Sequence, residues 1–190
     1  NPVNNFIFLE VIAMTIQKLE ELLRAGESEK LDYKQDFLLD TETRKKEFEN
    51  VINATGDKGI ILSYPDKIAG QRSDWGRWKK DIEKDIETII NYKNWDEIVT
   101  HNEKGEYGHI HHIMTHNLVD EACDKTGTDA KVMYFGKYYK KINLPEIGLE
   151  KIDEDLLKQK DEISKLYPSQ KKTIDKLHHM FPYENWTERE

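Results

Sequence analysis

Five of the seven histidines in this 190-residue chain fall between positions 101 and 116: His101, His109, His111, His112 and His116. Imidazole titrates near neutral pH and is a common metal ligand, so a cluster this dense is a candidate for metal binding or acid–base chemistry. Spacing narrows the choice. A helix opening near His109 puts His109, His112 and His116 on one face through i+3 and i+4 steps, and turns His111 elsewhere. Two neutral imidazoles on that face could bind zinc together, or one could hold the metal while another polarises a carbonyl. The helix N-terminus adds free N–H groups and a positive dipole end, suited to an anionic ligand or an oxyanion. Gly105 and Gly108 let the preceding loop turn tightly and approach a ligand. His178-His179, with no such context, read as surface residues.

A segment of this kind needs a strand to deliver it and a helix to receive it. Asp96-Glu97-Ile98-Val99-Thr100 reads as the strand, and the helix starts at about His109. Gly59-Ile60-Ile61-Leu62-Ser63-Tyr64 and Lys131-Val132-Met133-Tyr134-Phe135 read as two more strands. Phe6-Ile7-Phe8-Leu9 is apolar enough for a strand or a helix start. Helices are expected from Thr15 to Arg24, from Thr43 to about Asn53, and onward from Ser73-Asp74 with Trp75, Trp78, Ile82, Ile86, Ile89 and Ile90 on one face. After Pro145 the pattern is helical and charged, over Glu150–Leu166 and Lys171–Met180. Strands alternating with helices predict an α/β fold with a mostly parallel sheet covered on both faces, ending in a helical C-terminal tail. In such sheets ligands sit beyond the carboxyl ends of the strands, which is where the histidines lie.

The run Thr100, Asn102, Gly105, Tyr107, Gly108, His109 and His112 resembles the second motif of LmbE/PIG-L zinc-dependent sugar N-deacetylases, T-x-(N/D)-x-x-G-x-Y-G-H-x-x-H. Arg44-Lys45-Lys46-Glu47-Phe48 is similar to that family's R-x-x-E-F helix, Tyr64-Pro65-Asp66 to its substrate-contacting Asp after the next strand, and Tyr167-Pro168-Ser169-Gln170 to its Y-x-S-Q element. The resemblance spans roughly residues 40–180 and implies a Rossmann-like three-layer αβα domain. It also implies a zinc-dependent hydrolase that removes the N-acetyl group from a GlcNAc-type sugar conjugate. By the same resemblance His112 is a zinc ligand, His109 and Tyr107 act at the substrate carbonyl, and Arg44, Asp66 and Asn102 serve substrate binding. Ile110-His111 replaces the family's Pro-Asp between the two histidines.

The family's first motif, H-P-D-D, is not in the sequence, and no histidine precedes His101. That motif brings one His and one Asp to the zinc and a second Asp as general base. Catalytic zinc needs about three protein ligands and one open position, so His112 requires help. His116, Asp32, Asp36 and Asp40 are the candidates to complete an altered site. Residues 16–34 weakly resemble the opening of AlbA-type, Schlafen-like domains. We therefore divide the chain into residues 1–40, a replaced or fused N-terminal segment, and a deacetylase-like domain at 41–190. Three readings follow: an N-deacetylase, a non-catalytic glycan-binding protein built on that fold, and a homo-oligomer whose missing strand comes from another chain.

Composition excludes other classes. A formal charge of −8 opposes a broad nucleic-acid interface, which needs a basic face. No apolar run approaches the ~20 residues of a membrane span, and no secretory signal is expected. The single cysteine, Cys123, rules out an internal disulfide, fits a reducing, cytoplasmic setting, and reads as a buried structural thiol. An acetylated amino sugar or glycan is the expected partner.

Overall fold

The helical spacing of Ile82, Ile86, Ile89 and Ile90 creates one continuous apolar face, and all four are at most 4% exposed. That face belongs to the first of two units in the computed structural model, which describes residues 6–8, 40–62, 64–65, 67–68, 71–143 and 148–190. The first unit takes in Ile61–Lys137, Trp186–Glu190 and the N-terminal strand; the second takes in Tyr138–Asn185 and the described residues from 40 to 60. The segment expected to be helical at Thr15–Arg24, the AlbA-like stretch, Asp32, Asp36 and Asp66 lie outside the described residues.

In chain order the described elements begin with β1 (Phe6–Phe8) and α1 (Asp40–Thr55). A two-residue hairpin follows, β2 (Lys67–Ile68) and β3 (Gln71–Arg72), with Lys67 opposite Arg72. Next come α2 (Lys79–Ile90), β4 (Glu97–Thr100), α3 (Ile110–Thr126) and β5 (Lys131–Phe135), then α4 (Glu154–Ser164), α5 (Lys171–Leu177) and β6 (Trp186–Glu188). Among the described residues β1, β4, β5 and β6 form one sheet in that order, its first two ladders parallel and the β5–β6 ladder antiparallel. The fold is therefore mixed α/β, and the sheet is mixed where a mostly parallel one was expected. The C-terminal strand β6, absent from the sequence reading, is the reason. Arg189 supports it, donating its backbone N–H to the Val132 carbonyl and its guanidinium to Asp124 at 2.7 Å.

The Gly59–Tyr64 run is not a strand among the described residues, although Leu62 and Tyr64 are buried. Its apolar content signals burial and not ladder pairing, two outcomes that a short run cannot separate. The chain is instead pinned by polar bonds. Ser73 Oγ and Trp75 Nε1 both donate to the Pro65 carbonyl, and the Tyr64 hydroxyl donates to Asp85 Oδ2 at 2.9 Å. Asp74 caps the 3-10 turn Trp75–Trp78 that leads into α2 by accepting from the Gly76 N–H at 2.8 Å.

Helices α2 and α3 pack against each other, burying Ile82, Ile86, Leu118, Val119 and Ala122. Full burial of each large aliphatic side chain contributes about 1.5–3 kcal/mol. Lys79–Glu121 (2.9 Å) and Lys125–Glu83 (3.0 Å) link the two helices across their exposed edge. Helix α3 ends at Gly127, left-handed at φ 61°, whose N–H returns to the Cys123 carbonyl. Cys123 is buried as expected, and burial pushes its thiol up to about 11. No helix among the described residues is long and apolar enough to cross a membrane.

The second unit holds α1, α4 and α5. Thr43, expected as the N-cap of α1, lies within a helix that starts earlier, at Asp40. Glu47 is buried at 3% exposure and accepts from Ser169 twice, from the backbone N–H at 2.8 Å and from Oγ at 2.5 Å. Pro168 opens that turn, which leaves the following N–H groups without intrahelical acceptors, and Glu47 satisfies one of them. A Cβ on Gly59 would stand 2.5 Å from Phe48 Cε1, so the chain after α1 passes too close to that ring for any side chain.

Glu47→Ala strands the Ser169 donors and is expected to lower the unfolding free energy by about 1–3 kcal/mol, read from urea denaturation. Burial raises the pKa of Asp85, with the Tyr64 hydrogen bond opposing the shift. The folded chain then binds this proton more tightly than the unfolded one. Its contribution to stability is full below the unfolded value of ~3.9 and is lost as pH rises through the folded value. Asp85→Asn keeps an acceptor for Tyr64, so the two proteins should unfold alike near about pH 4, with the variant more stable toward neutrality.

Candidate functional site

Strand β4 ends at Thr100, and the chain turns at once into a loop organised by Asn102. The Asn102 Oδ1 accepts from the N–H groups of Lys104 (2.9 Å) and Glu106 (3.1 Å), while its Nδ2 donates to the Phe135 carbonyl at 2.7 Å. An Asn in this position closes a turn through its own side chain and, here, also ties the turn to the end of β5. Gly105 sits at φ 56° and is buried; a Cβ there would meet Ile113 Cγ1 at 3.0 Å and His112 Cβ at 3.1 Å. The loop can therefore lie directly against the first turn of α3.

Glu106 follows at φ 56°, ψ −55°, a conformation that non-glycine residues rarely adopt. Strain of that kind costs about 1–3 kcal/mol and persists where the surroundings impose it. Its carboxylate turns back into the loop. Oε1 accepts from the Asn102 N–H at 3.1 Å, and Oε2 lies 3.1 Å from His101 Nδ1 and 2.5 Å from His112 Nδ1. Burial disfavours the charge on Glu106, but the bonds from His101 and His112, the charge of His101 and the Asn102 N–H outweigh it, holding its pKa down to about 2. An ionised carboxylate only accepts hydrogen bonds, so both imidazoles present Nδ1–H to it.

The rings gather around this carboxylate. His101 and His112 stack at 3.8 Å between centroids with 12° between planes, and the His109 ring is 4.2 Å from that of His112. Tyr107, half exposed, meets His112 edge-on at 5.6 Å and His109 at 6.1 Å. Of the residues expected at the site, the structure thus brings Tyr107, His109 and His112 together and commits Asn102 to holding the loop. Arg44 is exposed on α1, in the second unit, and Asp66 lies outside the described residues.

His109, His112 and His116 do not share a helical face as expected. His109 is the extended residue before α3, at φ −74° and ψ 120°, so only the other two are on the helix. His116 is buried; its Nδ1 donates to the His101 carbonyl at 3.0 Å and its Nε2 stands 3.7 Å from Asp120. His111 turns away, as the spacing predicted, and stacks on Trp75 at 4.0 Å and 2° while its Nε2 donates to the Ser73 carbonyl at 2.9 Å. Of the terminal pair, His178 is exposed and bonds Asp161, whereas His179 donates to the Tyr139 carbonyl at 2.8 Å. Sequence reasoning gave no role to Glu106. The available signal was the carboxylate set between Gly105 and Gly108, six residues before His112.

His101, Glu106 and His112 are also the donors that could gather round a cation, with their ligand atoms within 4.8 Å of one another. Two imidazoles and a carboxylate are a donor set that catalytic zinc uses. The donor types fit, but their directions fit less well. Zinc lies in the plane of each imidazole it binds, and two near-parallel stacked rings aim their in-plane lone pairs side by side and not at one ion. One ring, His112, fits as a ligand through Nε2, the nitrogen that Glu106 leaves unused.

Strand β4, paired in parallel with β1 and β5, thus delivers at its carboxyl end a loop of clustered imidazoles that opens helix α3, the place where ligands sit in α/β folds. The PIG-L family, described as GlcNAc-PI de-N-acetylase, matches residues 15–123, more than half of the chain, and the chain belongs to it. The match begins well before the Thr100–His112 motif and ends at the buried Cys123 of α3. No curated protein and no solved structure matches the chain significantly.

Asn102→Ala removes the acceptor of two loop N–H groups and the bond to Phe135. It is expected to cost about 2–4 kcal/mol in stability and to broaden the amide resonances of residues 103–108 in NMR spectra, with the α2–α3 core unchanged.

Proposed function

We propose that this chain carries metal-dependent amide hydrolysis, removing the N-acetyl group from a GlcNAc-type sugar conjugate. The observation that carries the reading is the convergence of Tyr107, His109 and His112 at the end of β4, in a chain of the PIG-L family. In this reading His112 holds zinc through Nε2. The chemistry a zinc ion supplies in such a site is Lewis-acid activation of water at near-neutral pH. His109, beside His112, donates to the oxygen of the substrate carbonyl as charge develops there, and Tyr107 supplies a second donor. By the resemblance of their motifs to the family's, Arg44 and Asp66 are the proposed substrate-binding residues, and Asn102 contributes by shaping the loop. His116, whose Nδ1 is engaged with the His101 carbonyl, supports the end of β4. The same family reading gives the domain a Rossmann-like three-layer αβα form.

A second reading is favoured by one observation, that these 190 residues do not contain H-P-D-D. The protein would then bind acetylated glycans without cleaving them.

Zinc analysis together with acetate release from N-acetylglucosaminyl conjugates separates the two. We expect stoichiometric zinc that His112→Ala removes. His109→Ala should keep the zinc and lower kcat by about 10²–10⁴-fold. Saturable glycan binding that persists in chelator, with neither zinc nor acetate found, would overturn hydrolysis in favour of binding.

A further inference from the structure

Glu106 combines three features that a surface loop residue does not usually share. Its backbone is held at a positive φ, its N–H and its Oε1 are both engaged by Asn102, and its Oε2 is the common acceptor of two imidazoles. The loop is organised to place one carboxylate oxygen at the Nδ1 edges of His101 and His112. Neutral imidazole exchanges between two tautomers, and only the nitrogen without the proton can bind a metal or accept a proton. A fixed acceptor at Nδ1 decides which nitrogen that is.

We infer that Glu106 is a positioning residue: it locks His101 and His112 as Nδ1–H tautomers, so that Nε2 is the lone pair His112 presents to the site. The alternative, Glu106 as a direct ligand beside both rings, requires at least one ring to leave the stack. The near-parallel planes and the 2.5 Å contact between Glu106 and His112 describe a hydrogen-bonded cluster and not a cage around an ion. His101 then acts as a brace. Its ring lies against His112, and its carbonyl takes the Nδ1–H of His116 from the next turn of α3. The significance of the lone pair at His112 rests on the deacetylase reading; the tautomer assignment does not.

The test is long-range ¹H–¹⁵N correlation of ¹⁵N-histidine-labelled protein at about pH 8, above the ordinary histidine pKa of ~6.5. Wild type should show His101 and His112 protonated on Nδ1 and bare on Nε2. Glu106→Gln should shift His112 toward a mixture of tautomers. Glu106→Gly should do the same, and glycine is at home at this backbone angle, so the loop keeps its path. A wild-type His112 protonated on Nε2, or tautomers unchanged in both variants, would overturn the inference. Zinc titration by calorimetry adds a second readout. Glu106→Gln should weaken affinity by about 10–100-fold with stoichiometry preserved, and His101→Ala should leave one ion bound. Loss of stoichiometric binding in both variants would put all three residues on the metal and overturn the assignment. A wild-type protein that takes up no zinc defeats the deacetylase reading alone, and the tautomers still decide this one.

Discussion

The side chain of Asn102 is the tie on which the site depends. One amide accepts two N–H groups within the loop and donates to the carbonyl at the end of the neighbouring strand β5. Without those bonds the buried polar groups of a tight loop would have to find water, at a cost of about 1–3 kcal/mol each. With them, the start of the loop between β4 and α3 is tied to the ends of both β4 and β5, which run parallel. The positive φ of Gly105 and the strained φ of Glu106 become sustainable because the surroundings over-determine them.

Everything beneath the loop serves to keep α3 in one place. The isoleucine face of α2 supplies the apolar contact, and the buried polar groups supply direction. His111 stacks on Trp75 and bonds the Ser73 carbonyl, His116 bonds the His101 carbonyl, and Tyr134 donates to Asp120 at 2.7 Å. Two of the five clustered histidines are thus fasteners of the helix, while the rings of His101 and His109 lie against that of His112. Thr100 Oγ1 is buried with no hydrogen-bond partner among the described residues, immediately before the loop. Orphaned groups of this kind are uncommon and concentrate near functional sites.

In the second unit, two short motifs that carry little weight separately are joined. Glu47, from R-x-x-E-F, and Ser169, from Y-x-S-Q, are 122 residues apart and share two hydrogen bonds. Their occurrence together in the chain is explained by one buried carboxylate that needs donors and one proline-led turn that has N–H groups to spare.

Much of this was legible in the chain itself. The periodicity of Trp75–Ile90 placed α2, the apolar runs placed β4 and β5, and the Thr100–His112 spacing placed the loop that opens α3, because each of these signals is local and fixed by 3.6- or 2-residue geometry. Burial at Leu62 and Tyr64 was also legible, but ladder pairing was not, since a pairing partner is never written next to the strand that needs it. The antiparallel return of β6 escaped for the same reason. Only the tertiary structure separated the histidines by role: which imidazole meets Trp75, which a carbonyl, and which a carboxylate depends on contacts from Ser73, Asp120 and the backbone angle of Glu106. Residue types and spacing determine what chemistry is available. Directions of lone pairs and donors, set by packing across distant segments, decide which atom performs it.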